Sequence, residues 1–495
     1  MNILMIYPEN PETFWSFKHA LKFVSKNAVH PPLGLLTVAA MLPENWNKKL
    51  VDMNVEKLRD KDIKWADYVF ISAMVVQKKS VKKLIEKVKS FKIKIVAGGP
   101  LFTASYEEFE NIDHFVLNEA EITLPLFLKD LKDGHIKKVY TSNEFPDISK
   151  TPVPLYELIN LKNYNSMNIQ YSRGCPFNCD FCDITTLFGK QVRTKSKNQI
   201  LAELENLYSF GWKGDVFFVD DNFIGNKLKL KNEVLPAITG WMKRKKYPFS
   251  FSTEASVNLS DDDELMEMMI EAGFNCVFLG IETPDEKSLV ECNKFQNKNR
   301  DLLESVKKIQ KFGFEVTGGF IVGFDNDSEN IFKRQIEFIK KSNIITAMVG
   351  LLNAPKNTPL YNRLKRENRL LDPTTGNNTD FSLNFIPKMD SKKLIEGYKL
   401  IIKEIYSIKP YYSRVLNLLK QNKCIKIKKT KSIKIIHIKA FIKSIFILGI
   451  KDKGRFQYWK VFFWSLFNNP RSSIPVAITY AIYGFHFRQV FASCI

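Results

Sequence analysis

The stretch Arg173-Gly174-Cys175-Pro176-Phe177-Asn178-Cys179-Asp180-Phe181-Cys182 carries three cysteines at C-x3-C-x2-C spacing, and the next cysteine is Cys276. A structural zinc site closes on four ligands, usually supplied as paired C-x2-C hooks. An electron-transfer [4Fe–4S] cluster also takes four thiolates. Three thiolates on one short loop leave one iron of a cubane free to bind something else. The spacing makes Cys175, Cys179 and Cys182 candidate ligands of a cubane with one open iron, with a partial zinc site as the alternative.

Polar residues and glycines at the tips of later apolar runs are the candidate partners of that cluster. Asp220-Asp221-Asn222 follow the run Val216–Val219, although these are also the residue types of turns and caps. Glu254 follows Phe249–Thr253, and Gly280-Ile281-Glu282-Thr283 ends the run that starts at Cys276. A buried carboxylate at the tip of an apolar strand is costly unless it meets a donor. Glu254 and Glu282 are therefore read as contacts to hydroxyl or ammonium groups of a ligand. Gly319 and Gly323 flank Ile321, where glycine lets backbone approach a flat group closely.

Two series of strands and helices must position these residues. In residues 1–140 short apolar runs (Asn2–Tyr7, Lys49–Met53, Tyr68–Ala73, Ile93–Ala97, His114–Leu117) alternate with helical patterns such as Gly34–Leu42 and Lys79–Phe91. The alternation predicts a doubly wound parallel sheet of flavodoxin type, with ligands at the carboxyl ends of its strands. Ser72, Met74, Gly98 and Gly99 fall there. The two glycines serve either close approach to a cofactor or a tight strand-to-helix turn. Residues 141–165, with Pro146, Pro152 and Pro154, read as a linker. From Ser166 a second series begins, with strands at Met167–Ser172, Val216–Val219, Phe249–Thr253, Cys276–Ile281, Val316–Val322 and Ala347–Leu352. Six such units over 166–389 predict a partial (βα)6 barrel whose chemistry sits at the C-terminal strand ends. The cluster loop follows its first strand.

Residues 390–495 change character and predict a mostly helical basic domain. From Lys409 to Ile495 there are 17 Lys/Arg against one acid, Asp452, so +16 of the total net charge of +21 lies in this tail. Such a tail suits an anionic membrane surface or nucleic acid, or is a solvated surface. Its longest uncharged run, Ser472–Phe487, is shorter than the roughly 20 residues of a spanning helix, so an interfacial or lid-like helical region is expected. Seven cysteines, three clustered and four scattered, do not form a disulfide framework. The first residues read as a buried strand rather than a signal peptide. The expected location is the cytoplasm, with contact at the inner membrane face through the tail. Cys276 reads as core, and Cys292, Cys424 and Cys494 have no C-x2-C partner for a second cluster.

The three-cysteine loop, with aromatic Phe181 before its third cysteine and a βα series behind it, resembles the radical S-adenosylmethionine (SAM) superfamily. The resemblance implies that the open iron chelates SAM, and that the reduced cluster cleaves it to a 5′-deoxyadenosyl radical. It implies SAM contacts at Phe181, Asp220, Asp221, Glu254, Gly280 and Glu282. Gly319, Ile321 and Gly323 match the family's GxIxG element, which packs on adenine. An external electron donor such as flavodoxin or ferredoxin is also implied. The two-domain layout, the Tyr-Ser-Arg-Gly-Cys-Pro opening and the basic tail resemble cobalamin-binding radical SAM enzymes of the hopanoid C-2 methylase-like subgroup. In that case Ser72, Met74, Gly98 and Gly99 bind cobalamin. The loop after the first strand, Tyr7-Pro8-Glu9-Asn10-Pro11-Glu12-Thr13-Phe14, lacks the DxHxxG motif that supplies a histidine to cobalt.

The implied reaction is methyl transfer to an unactivated carbon of a lipid-like or other hydrophobic substrate, using two SAM molecules per turnover. The alternative is a cobalamin-independent rearrangement, cyclisation or C–C coupling. An RNA-modifying methylthiotransferase is disfavoured, because those relatives carry a second cysteine set in the N-terminal domain. Residues 1–174 here contain no cysteine. Nucleic acid is thus not an expected partner.

Overall fold

The computed structural model describes residues 1–371, 374–421, 435–468 and 470–494; Cys424 lies outside them. The first sheet contains β1 (Asn2–Tyr7), β2 (Asn47–Asp52), β3 (Tyr68–Ser72), β4 (Lys94–Gly98), β5 (His114–Val116) and β6 (Val139–Tyr140). Its order is β2-β1-β3-β4-β5-β6, with every pairing parallel. Near-continuous apolar strands such as β1, buried from Ile3 to Ile6, are what a sheet covered by helices on both faces requires. Strand order reverses beside β1, so a crevice opens between the loops that follow β1 and β3, where ligands of such sheets bind.

The second sheet contains β7 (Ser166–Ile169), β10 (Asp215–Phe218), β11 (Ser250–Ala255), β12 (Phe274–Glu282), β13 (Glu315–Val322) and β14 (Ala347–Leu351). Their order is sequential and the pairings are parallel, the open six-stranded barrel that the sequence predicts. One element differs. The first run stops at Ile169, and Ser172–Arg173 (β8) leaves the sheet to pair antiparallel with Arg193–Thr194 (β9). This small ribbon brackets the cysteine loop. Gly174 adopts φ +89°, and a Cβ there would lie 2.6 Å from the Gln191 carbonyl oxygen, so only glycine makes the turn.

The intervening residues 141–165 are packed rather than loose. Tyr164 donates to Asp52 Oδ2 (2.9 Å) and Tyr156 to the Asn168 carbonyl (2.7 Å), tying the first sheet to the second. The C-terminal helices are also integral. Tyr406, on helix Ser391–Tyr406, donates to the Ala347 carbonyl (2.6 Å) and accepts from its N–H (3.1 Å), capping the edge strand β14. Phe487 stacks on Phe14 with ring centroids 4.5 Å apart. Among the tail's aromatics Tyr406, Tyr411, Tyr458, Tyr480 and Phe487 are buried, whereas Phe456, Phe463 and Phe467 are exposed. No described helix is long and apolar enough to cross a membrane.

Candidate active site

Cys175, Cys179 and Cys182 share one cavity of about 150 Å³, lined also by Phe181, Asp221, Glu254, Gly280, Glu282, Lys294 and Gln296. The cysteines are free thiols. Burial pushes the Cys175 and Cys182 thiols up. Among the described residues no three His, Cys, Asp or Glu side chains converge on a single ion. A cubane does not need that convergence, because each thiolate goes to a different iron. The donor set, three thiols from one loop and no fourth on the cavity wall, fits a cluster with one open iron.

The loop is clasped from outside by the segment after helix Glu286–Glu291. Asp180 N–H donates to the Cys292 carbonyl (3.0 Å), Asn293 Nδ2 to Asp180 Oδ1 (2.5 Å), and Gln296 Nε2 to Cys179 Sγ (3.6 Å). Cys292 is buried in a small apolar cluster with Phe324 and Leu360, which Phe181 joins. Its thiol is core, as its isolation in sequence suggests.

Three carboxylates meet above the cysteines. Burial, the larger cause in each case, pushes Asp221 up to about 7 and Glu254 up to about 8, and the neighbouring acids add to it. Asp221 Oδ2 is buried with no partner. Glu282 adopts φ +61°, a left-handed conformation rare for a glutamate, and pairs with Lys294 at 2.7 Å. A Cβ at Gly280 would fall 2.5 Å from Glu282 Oε1 and 2.8 Å from Lys294 Nζ, so glycine makes room for this pair.

Asp220 is placed differently from its neighbour. Its carboxylate accepts from Tyr171 N–H (3.1 Å) and from the N–H and hydroxyl of Ser172, and it does not line the cavity. It therefore holds the start of the loop, whereas Asp221 lines the cavity. Gly319, Ile321 and Gly323 also stay off the cavity wall. A Cβ at Gly319 would press on the Phe278 ring at 2.8 Å, and Phe278 is itself part of the wall. Ile321 packs with Phe181 in the apolar cluster beside the loop.

A second cavity, about 860 Å³, lies between the carboxyl ends of the first sheet and the barrel. Tyr7, Asn10, Ser72, Met74 and Gly99 line it on one side; Asn168, Arg173 and Val219 line it on the other. Gly98 does not. A Cβ at Gly98 would meet the Val116 carbonyl oxygen at 2.6 Å, and one at Gly99, φ +89°, would meet Ser72 Oγ at 2.5 Å. The pair thus serves the tight turn, with Gly99 alone facing the space. Volume and position at the strand-order reversal fit a large cofactor such as cobalamin. His30 is the histidine that lines this cavity, but it stacks on Phe217 of β10 (5.3 Å), on the barrel side. No histidine comes from the loop after β1.

The two cavities are neighbours. Asp221 lines both, and Trp15 on the larger one meets Phe278 on the smaller in an edge-on contact of 5.5 Å. An ion-pair network sets their relation. Arg173, just before the cysteine loop, pairs with Glu119 (2.6 Å) and Glu121 (2.9 Å) of the first domain, and Arg193 pairs with Glu119 (2.8 Å). Sequence reasoning missed Lys294, Gln296, Trp15 and this network. Charged residues in loops carry no periodic signal, and only the basic residue beside the Gly-Cys opening hinted at one of them.

An open parallel barrel with a three-cysteine loop beyond its first strand, facing a doubly wound domain across a shared cleft, defines a two-cofactor radical enzyme. Family models for the B12 binding domain and the radical SAM superfamily match residues 23–128 and 169–339, and a domain of unknown function (DUF4070) matches 358–495. The chain is 42% identical to an uncharacterized methyltransferase of Synechocystis sp. over 99% of this chain and 92% of that one. It is 36% identical to the hopanoid C-2 methylase of Rhodopseudomonas palustris, over 77% and 73%. The solved structure of OxsB, a cobalamin-dependent SAM radical enzyme, superposes with TM-score 0.63 at 15% identity, covering all of this chain and 79% of that one, a likeness of fold. The chain belongs to the cobalamin-binding radical SAM methyltransferases, in the family of the hopanoid methylases. Its cofactors are a [4Fe–4S] cluster, SAM and cobalamin.

Proposed function

We propose that this methyltransferase acts on an unactivated carbon of a hydrophobic, lipid-like molecule bound between its two cofactor sites. The observation that carries the proposal is the meeting of the two cavities at Asp221 and at the Trp15–Phe278 contact. Apolar Phe14, Trp15, Leu33, Val38 and Met41 on the larger cavity suit a substrate with few polar groups. The relative named hopanoid C-2 methylase supports the same substrate class.

Cys175, Cys179 and Cys182 would hold the cluster, and Ser72, Met74 and Gly99 would face cobalamin. When bound, cobalamin supplies the methyl group, and SAM on the cluster supplies the radical that opens the acceptor carbon. Asp221, with its unpartnered Oδ2, and Glu254 would accept hydrogen bonds from the ammonium or hydroxyl groups of SAM. Lys294 pairs with Glu282 on the cavity wall and fixes the position of its carboxyl group. Phe278 and Trp15 exclude water from the space between the sites. On this reading residues 1–140 carry cobalamin, 166–389 carry the cluster, and 390–495 close the molecule from below. Reducing electrons would come from a flavodoxin or ferredoxin.

The test is anaerobic purification with iron and cobalamin quantified, then incubation with SAM, reductant and polyisoprenoid or polycyclic lipids in detergent. Deoxyadenosine release together with methylated lipid supports the proposal. Deoxyadenosine release with methylation confined to water-soluble acceptors overturns the substrate class.

A further inference from the structure

Two helical segments of the C-terminal region form a hairpin with two apolar sides. The first is helix Ile435–Ser444, continued as a π-helical turn over Ile445–Lys451; the second is helix Arg455–Asn468. In the first, Ala440, Ser444 and Leu448 are buried at four-residue spacing. In the second, Tyr458, Val461 and Ser465 are buried. Lys443 Nζ donates to the Lys22 carbonyl (2.8 Å) and ties the first segment to the body of the protein, while Trp459 Nε1 donates to the Gly449 carbonyl (2.9 Å) and Ser444 bonds Tyr458 (2.9 Å), joining the two segments to each other.

Two residues along an α-helix turn the side chain by about 200°, so a position two beyond a buried one points outward. Those positions should be polar on a surface helix. Here they are Ile438, Ile442, Phe446 and Ile450 on the first segment, all about half exposed or more (49%, 49%, 57% and 55%). On the second, Phe456 (73%), Phe463 (47%) and Phe467 (82%) lie two residues from a buried position, with Lys460 as the polar member of that row. Stacking of Phe441 on Phe462 (5.8 Å) joins the two segments, so both outward stripes belong to one surface. Contiguous exposed apolar surface of this kind marks an interaction site.

The charges around the stripe select its partner. Lys439, Lys451, Lys453, Arg455 and Lys460 are exposed beside it. The one acid of residues 435–468 is Asp452, which is taken up by Arg488 at 2.8 Å. Apolar side chains flanked by cations, with no free acid, complement a surface that is anionic outside and hydrocarbon within. We infer that the hairpin 435–468 is an in-plane docking element for anionic lipid bilayers, with Ile438, Ile442, Phe446, Ile450, Phe456 and Phe467 entering the headgroup–acyl boundary. It deepens the lipid-substrate proposal and rests on that proposal only for its purpose, since the surface itself is independent of what is methylated.

The experiment is flotation of the full-length protein with vesicles of phosphatidylcholine and phosphatidylglycerol, or of phosphatidylcholine alone. Binding is expected to the anionic vesicles and to weaken as salt rises. The variant I442S/F446S/F467S alters exposed positions only and should lose at least about tenfold in partitioning, in line with the apolar area removed. The variant K451E/K453E/K460E should lose a similar factor on anionic vesicles. Both should keep wild-type melting temperature and SAM cleavage. The inference is overturned if wild type does not float with anionic vesicles, or if both variants float like wild type. It is also overturned if sedimentation shows a dimer that the apolar variant dissociates while vesicles are ignored; the stripe is then a contact with a second copy. Failure of the lipid-substrate proposal would read differently: vesicle binding would persist while no lipid is methylated in detergent.

Discussion

At the scale of single residues, the site separates side chains that line the cavity from side chains that hold them in place. Cys179→Ala removes one of the three proposed cluster ligands. Iron content should fall from about four per chain toward zero, with deoxyadenosine release lost; retention of both would show that the loop does not carry the cluster. Glu254→Gln keeps size and removes an acid that burial raises to about 8 and that an ammonium group beside it would ionise. If Glu254 accepts a hydrogen bond from SAM, affinity should drop about ten- to a hundredfold, the value of a charge-assisted bond, with iron content unchanged; equilibrium dialysis reads it. Glu315, far from the cysteines at the start of β13, gives a pH test. Burial, with Asp215 nearby, raises it from 4.5 to about 7 even though Tyr480 of the last helix donates to it. The folded state thus binds the proton more tightly than the unfolded chain. The stability this proton brings is present at low pH and is lost as pH rises from 4.5 through about 7. Glu315→Gln should therefore gain on wild type in urea midpoint between about pH 5 and about pH 8. An equal difference at both pH values would show that Glu315 titrates normally.

At the scale of elements, the cysteine loop is positioned from three sides. Asp220 ties its start to β10, the segment 292–296 clasps its outer face, and Arg173 fixes it to Glu119 and Glu121 across the domain boundary. Arg173 is largely buried, and its removal leaves two buried carboxylates with less compensation. Arg173→Ala should cost about 3–5 kcal/mol, read as a fall in melting temperature, and Arg173→Lys should recover only part because lysine cannot bridge both acids. A change within error would make the network a surface feature. Much of this level was visible in advance. Eleven of the twelve strands of the two sheets were legible, since buried parallel strands read as apolar runs; the two-residue edge strand β6 was missed, and the first barrel strand was read three residues too long. The exit of Ser172–Arg173 from the barrel was not legible. Its backbone partner is Arg193–Thr194, about twenty residues on, and nothing in the local pattern marks that pairing.

At the scale of the whole molecule, the C-terminal region is a structural part of the enzyme. Tyr406 caps β14, Tyr480 reaches Glu315, and His486 and Phe487 pack on the N-terminal loop at Phe14. A chain ending before Ile408 would expose these surfaces and is expected to be recovered mostly insoluble. Comparable soluble yield and urea midpoint to the full chain would contradict this.

The sequence alone determined the chemistry and the order of its parts. Three cysteines at fixed spacing, and apolar runs that alternate with helical patterns, depend only on neighbours along the chain. Which polar side chains face one another was decided by tertiary structure. Asp220 and Asp221 are adjacent in sequence, yet one holds the loop and the other lines both cavities, because consecutive residues at a strand tip point in different directions. Lys294 and Glu282 meet only because β12 and the loop after it fold back over the cysteines. The tail read as a basic, aromatic-rich, interfacial or lid-like helical region; folding buried one side of the hairpin 435–468 and left apolar side chains exposed on the other.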